Sequence, residues 1–111
     1  MSASEEIIQK VLIYIEKKDR GRLTVEDIAH HVYVSPAYLQ CLFKESYGIG
    51  LAEYVRKKRL NLSCELLQNT EKSVSDIAYE VGFAHESSFI RAFKKEFGVT
   101  PGKTRQKRSA E

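Results

Sequence analysis

An all-α fold, with two similar pairs of short helices and one long helix between them, is predicted for this chain by three observations. Only two of its 111 residues are proline and six are glycine. Its apolar residues recur at three- and four-residue intervals rather than alternating, and one stretch of pattern occurs twice. The length suits one compact domain or two very small ones sharing a helix. With 42% hydrophobic and 30% charged residues, the composition is that of a globular protein and not of a disordered segment.

The repeat organises the rest. TVEDIAHHVYVSPAYLQCLFKESYG, from Thr24, aligns with SVSDIAYEVGFAHESSFIRAFKKEFG, from Ser73, with one extra residue in the second copy. Asp27, Ile28, Ala29 and Val32 match Asp76, Ile77, Ala78 and Val81; after the insertion, Phe43, Lys44 and Gly48 match Phe93, Lys94 and Gly98. Two copies of one supersecondary unit are therefore expected.

Each copy reads as two helices. Thr24 and Ser73 are N-cap residues with an aspartate three positions on, a variant of the capping box. Val25, Ile28, Ala29 and Val32, and their counterparts Val74, Ile77, Ala78 and Val81, form one buried stripe. After a short turn, Ser35 and Pro36 open the next helix as N-cap and N1, and His85 and Glu86 hold the same places in the second copy. Leu39, Leu42 and Phe43, like Phe89, Ala92, Phe93 and Phe97, point inward; Gly48 and Gly98 suit left-handed C-terminal caps.

Ahead of the repeats, Ile7, Ile8, Val11, Leu12 and Ile15 make a helical stripe that covers the first pair. Lys17 to Arg22 then form a charged loop. LAEYVRKKRLNLSCELLQ, with Leu51, Tyr54, Val55, Leu62 and Leu66 on one broad face, is a linker helix of about 17 residues, roughly 25 Å long. The expected organisation is two helix-turn-helix subdomains, residues 1–50 and 69–106, joined by a central linker helix at 51–68, about seven helices in all. KTRQKRSAE reads as a disordered end, with 107–111 a basic tail.

Charge points to a polyanion. The net charge is only +3, but residues 91–108 hold seven basic side chains against the single acid Glu96, whereas residues 1–27 hold five basic and six acidic ones. No window reaches the ~18 apolar residues of a membrane span, and the start MSASEEIIQK is acidic where a secretory signal is basic. A cytoplasmic protein with no membrane partner is expected. Cys41 and Cys64 have no Cys-x-x-Cys spacing and read as reduced thiols, and His30, His31 and His85 have no partner at ligand spacing. Neither a metal nor a cofactor is expected.

In a helix-turn-helix the first helix lies across the sugar-phosphate backbone and the second enters the major groove of double-stranded DNA. The outward positions are Ala37, Gln40, Cys41 and Lys44 on the first reader, and Glu86, Ser87, Ile90, Arg91, Lys94 and Lys95 on the second. Gln40 suits adenine, Arg91 guanine, and Ala37 and Ile90 thymine methyls. Lys44, Lys94, Lys95, the run Arg56 to Arg59, and backbone N–H groups near Thr24 and Ser73 suit phosphates. Openings of the major groove on one face of a duplex recur every ~34 Å, so a monomer reading two adjacent segments of an asymmetric operator is expected.

This arrangement resembles the DNA-binding domain of the AraC/XylS family of bacterial transcription regulators, from about Ile7 to Arg105. The stretch DIAYEVGFAHESSFIRAFKKEFGVTP carries the family pattern I-A, G-F, F-x-R-x-F-K, F-G and P, and RLNLSCELL resembles the family's linker helix with Ser63 in place of alanine. The resemblance implies sequence-specific promoter binding and contact with RNA polymerase. Family members mostly carry a separate sensing or receiver domain, and the departures here favour the excised reader of a larger protein over a stand-alone regulator. Cys41 stands where arginine is common, Tyr33 where glycine is, and Thr104 where tyrosine is; the first implies that the first reader contributes mainly affinity. The alternatives are a protein-interaction module reusing the same shape, such as an adaptor on polymerase, and an enzyme. The first would expose apolar residues on both readers; the second lacks an acid–base pair, a nucleophile with its histidine, and a Gly-rich phosphate loop.

Overall fold

The computed structural model describes residues 2–17 and 23–110, with side chains as far as 106. Among them lie seven helices and no strand: α1 (Ala3–Lys17), α2 (Val25–His31), α3 (Pro36–Tyr47), α4 (Leu51–Asn69), α5 (Val74–Glu80), α6 (Glu86–Phe97) and α7 (Pro101–Ala110). The charged loop expected after Lys17 lies outside the described residues. The chain divides into two compact units, and the boundary falls inside α4, after Arg56. The linker helix is thus no separate body, because its apolar positions divide between two cores.

In the first unit, Ile8, Val11 and Ile15 of α1 pack with Ile28, Ala29 and Val32, with Leu39, Leu42 and Phe43 of α3, and with Leu51 and Val55 of α4. The local code for this is explicit. Thr24 Oγ1 accepts from the Asp27 N–H at 3.1 Å and Ser35 Oγ from the Tyr38 N–H at 3.2 Å, so each helix starts on a side-chain cap. Helix α2 ends in a Schellman turn: the Tyr33 N–H donates to the His30 carbonyl (3.3 Å) and the Val34 N–H to the Ala29 carbonyl (3.1 Å). That turn needs a left-handed residue, and Tyr33 supplies it at φ +60. Gly48, at φ +79, closes α3.

The second unit repeats the design. Leu60, Leu66 and Leu67 of α4 pack with Ile77, Ala78 and Val81 and with Phe89 and Phe93 of α6. Ser73 Oγ accepts from the Asp76 N–H at 3.0 Å. Gly82 (φ +98) occupies the Schellman position that Tyr33 fills in the first copy. Helices α3 and α6 are both 12 residues long, so the extra residue of the second copy sits in the turn. Ser63 is fully buried, and its hydroxyl donates to the Leu60 carbonyl at 2.6 Å, which makes a polar side chain tolerable in that core.

Two expectations need correction. Phe97 does not point fully inward: the last residue of α6, it lies over the Phe93 ring (centroids 4.6 Å apart) and stays 37% exposed. His85, by contrast, holds the expected N-cap place of α6, through its backbone and without a side-chain cap hydrogen bond. The end of the chain is not irregular, since α7 runs to Ala110. Thr100 Oγ1 accepts from the Lys103 N–H (3.3 Å), and Pro101, at the first helical position, is fully buried. The Arg105 guanidinium then donates to the carbonyls of Leu67 (3.3 Å), Thr70 (3.1 Å) and Lys72. The last carbonyls of a helix have no partner within it, and Arg105 supplies donors where α4 ends.

Candidate nucleic-acid interface

Each unit buries one side of its second helix and leaves the other to solvent. On α3 the anchors Leu39, Leu42 and Phe43 are buried, while Ala37, Gln40, Cys41 and Lys44 are exposed. These four recur at offsets of three, four and seven, which places them on one face. Phe43 stacks on Tyr47 one turn further along α3 (centroids 4.7 Å) and meets Tyr54 of α4 (5.0 Å), and this contact with a second helix helps to fix the roll of α3. On α6, Phe89 and Phe93 are the anchors, 5.7 Å apart, with Phe83 5.4 Å from Phe89. Ser87, Arg91, Lys94 and Lys95 are exposed; Glu86 and Ile90 are half-buried, and Ile90 packs against the second core.

The two faces differ in charge. At matched positions, fifty residues apart, Cys41 corresponds to Arg91, Lys44 to Lys94 and Glu45 to Lys95. The α6 face therefore offers three cations beside the half-buried Glu86, where the α3 face offers one cation beside Glu45. Arg91, Lys94 and Lys95 make no ion pair within the described residues, which leaves all three available to an anion. The basic run on α4 is more committed: Arg56 lies 3.9 Å from Glu53, and Lys58 and Arg59 have partners of their own. Glu26 and Asp27 stand in the first turn of α2, so its N-terminus is already supplied with negative charge.

One residue escaped the sequence reading. Arg105, counted there among the basic residues near the end, is occupied with three carbonyls. Tyr33, noted there as a departure from glycine, is 93% exposed at a left-handed position, with no side-chain partner among the described residues. Its alignment with Gly82 was the available signal. The cysteines separate by burial: Cys41 is exposed on the reader face, and burial, aided by Glu65, pushes the half-buried Cys64 thiol above its ordinary pKa.

A capped first helix, a left-handed turn and a second helix anchored from behind by aromatic rings make a helix-turn-helix, and this chain has two, each with a reader face turned to solvent. That is the architecture of a double helix-turn-helix DNA reader. The helix-turn-helix domain family matches residues 28–107, and the chain belongs to this AraC/XylS-type family of transcription regulators. It is 36% identical over 106 residues to the probable transcription factor PqrA of Proteus vulgaris, covering 93% of this chain and 86% of that one. It is 38% identical over 99 residues to the regulatory protein PocR of Salmonella typhimurium, covering 89% of this chain but only 33% of PocR. Among solved structures, the C-terminal domain of AraT, a response regulator from Geobacillus stearothermophilus, aligns with TM-score 0.86 at 34% identity, over 96% of this chain and 88% of that one. Among the described residues no helix is long and apolar enough to cross a membrane.

Proposed function

We propose that this chain binds double-stranded promoter DNA sequence-specifically in bacteria. In this reading α3 and α6 enter adjacent major-groove segments of one asymmetric operator, and the chain acts as a monomer. The observation that carries it is the pair of anchored helices whose solvent faces hold polar and cationic side chains at groove-reading offsets, Arg91, Lys94 and Lys95 among them without an ion pair among the described residues. Arg91 reads a base edge, with guanine the geometric match, and Lys44, Lys94 and Lys95 bind phosphates. The α3 face, with Ala37, Gln40 and Cys41, adds apolar and amide contacts and little charge, so α6 carries most of the electrostatic attraction. In this reading the work site is the nucleoid, no cofactor or catalytic step is involved, and RNA polymerase is a further partner, an assignment that family membership supports.

The test is selection of bound sequences from a random DNA pool at about 150 mM salt, where phosphate contacts alone no longer suffice, followed by footprinting of the winner. Two contacts about ten base pairs apart are expected. Arg91→Ala should cost about 1–3 kcal/mol and relax discrimination at one position, whereas Lys44→Ala should weaken all sequences alike and reduce the salt slope by about one. An Arg91→Ala protein with unchanged affinity and selectivity would refute the orientation given to α6. A pool without enrichment would refute DNA reading and favour a protein-interaction module.

A further inference from the structure

On α1, the first unit carries a surface that shares no residue with the reader face of α3. Ile13 of α1 is 54% exposed and forms a ridge between two hollows. One, of about 480 Å³, is lined by Lys10, Ile13, Tyr14, Lys17 and His31; the other, of about 320 Å³, by Leu12, Ile13, Glu16 and Lys17. The floor of the larger one is stiff, because the Tyr14 and His31 rings stack with centroids 4.1 Å apart and planes 26° from parallel. Lys10 and Lys17 stand two turns apart, roughly 10 Å along the axis, and neither has an ion-pair or hydrogen-bond partner among the described residues.

We infer that this α1 face docks an acidic amphipathic helix of a partner protein. An apolar ridge between two hollows receives side chains from consecutive turns of a second helix, by the ridge-into-groove geometry of helix pairs. Charge complementarity selects the occupant: the ammonium groups of Lys10 and Lys17, without an ion-pair partner among the described residues, flank the ridge and match two carboxylates seven positions apart, with leucine-sized residues between them. Glu6 on the same helix repels acids placed elsewhere, which sets the register. A second basic surface such as another reader face would bring lysine to lysine and is disfavoured. Exposed ion pairs are individually weak and screened by salt, so the complex is weak and salt-sensitive.

The experiment titrates the whole chain with a fluorescent helical peptide bearing two glutamates seven positions apart and two leucines between them. A control peptide has lysines in place of the glutamates. Binding by the acidic peptide alone, weakened at least about tenfold by the double change Lys10→Glu and Lys17→Glu and separately by Ile13→Ser, is the expected result. All three positions are exposed, so these variants should fold, as circular dichroism verifies, and their DNA affinity should stay unchanged. The proposal is overturned if the acidic peptide fails to bind at about 1 mM, or if the lysine variant binds it as wild type does. It is equally overturned if the variants instead weaken DNA binding, which would assign the lysines to phosphates, or alter sedimentation without affecting the peptide, which would assign the face to a second copy.

Discussion

Replacing Arg105 by alanine should destabilise the second unit by about 2–3 kcal/mol. The guanidinium donates to three carbonyls on a segment 33 to 38 residues earlier in the chain. A hydrogen bond from a charged donor contributes about 1.5–3 kcal/mol when its acceptor is shielded. Leu67 is fully buried, but Lys72 is exposed and its carbonyl is readily hydrated, so the three bonds do not add at full value. Arg105→Lys keeps the charge but reaches fewer acceptors, and should recover about half of the loss. The assay is equilibrium urea denaturation followed through the amide signals of Ile77 and Phe93, since the chain has no tryptophan. A change below about 0.5 kcal/mol, within the range of ordinary surface substitutions, would refute the role given to Arg105 at the end of α4. If the same variant also lost one unit of salt slope in DNA binding, Arg105 would be a phosphate contact instead.

Three other outcomes follow from the structure. Tyr33→Gly should raise stability: it relieves a left-handed strain of about 1–2 kcal/mol, offsets that by about 0.4–1 kcal/mol of unfolded-chain entropy, and loses no packing because the ring is 93% exposed. A lower melting temperature would show that the ring makes a stabilising contact. Phe93→Ala removes a fully buried ring that touches Phe89 and Phe97 and should cost roughly 3–5 kcal/mol, unfolding the second unit by loss of dispersed amide signals. Cys41 should be alkylated rapidly and be protected by operator DNA. Cys64 should react slowly in the native protein, because burial holds its thiol protonated. Since its folded pKa lies above the unfolded one, its small contribution to stability is present below the ordinary thiol pKa and is lost as pH rises through the folded value.

Much of this molecule is written in short-range code. Thr24, Ser35 and Ser73 cap the helices that follow them, Gly48 and Gly98 end helices in left-handed turns, and the stripes around Ile28 and Ile77 mark the buried faces, because each depends on residues within one helical turn. The repeat doubles that information, and with the inward rings of Phe43, Phe89 and Phe93 it separates the reader faces from the core at the level of sequence alone. What the sequence could not disclose depends on partners far along the chain or on the exact turn conformation. Arg105 reads as one more cation until α7, helical where a disordered tail is expected, brings it to the end of α4. Tyr33 reads as a departure from a common glycine, but only the Schellman turn shows that the tyrosine itself takes a positive φ. Ile13 already falls outside the inward stripe in the sequence, but only the packing of α1 and α2 shows the two hollows beside it. Local backbone preferences specify where helices begin, end and face; only packing decides which polar groups are consumed inside the fold and which remain for a partner.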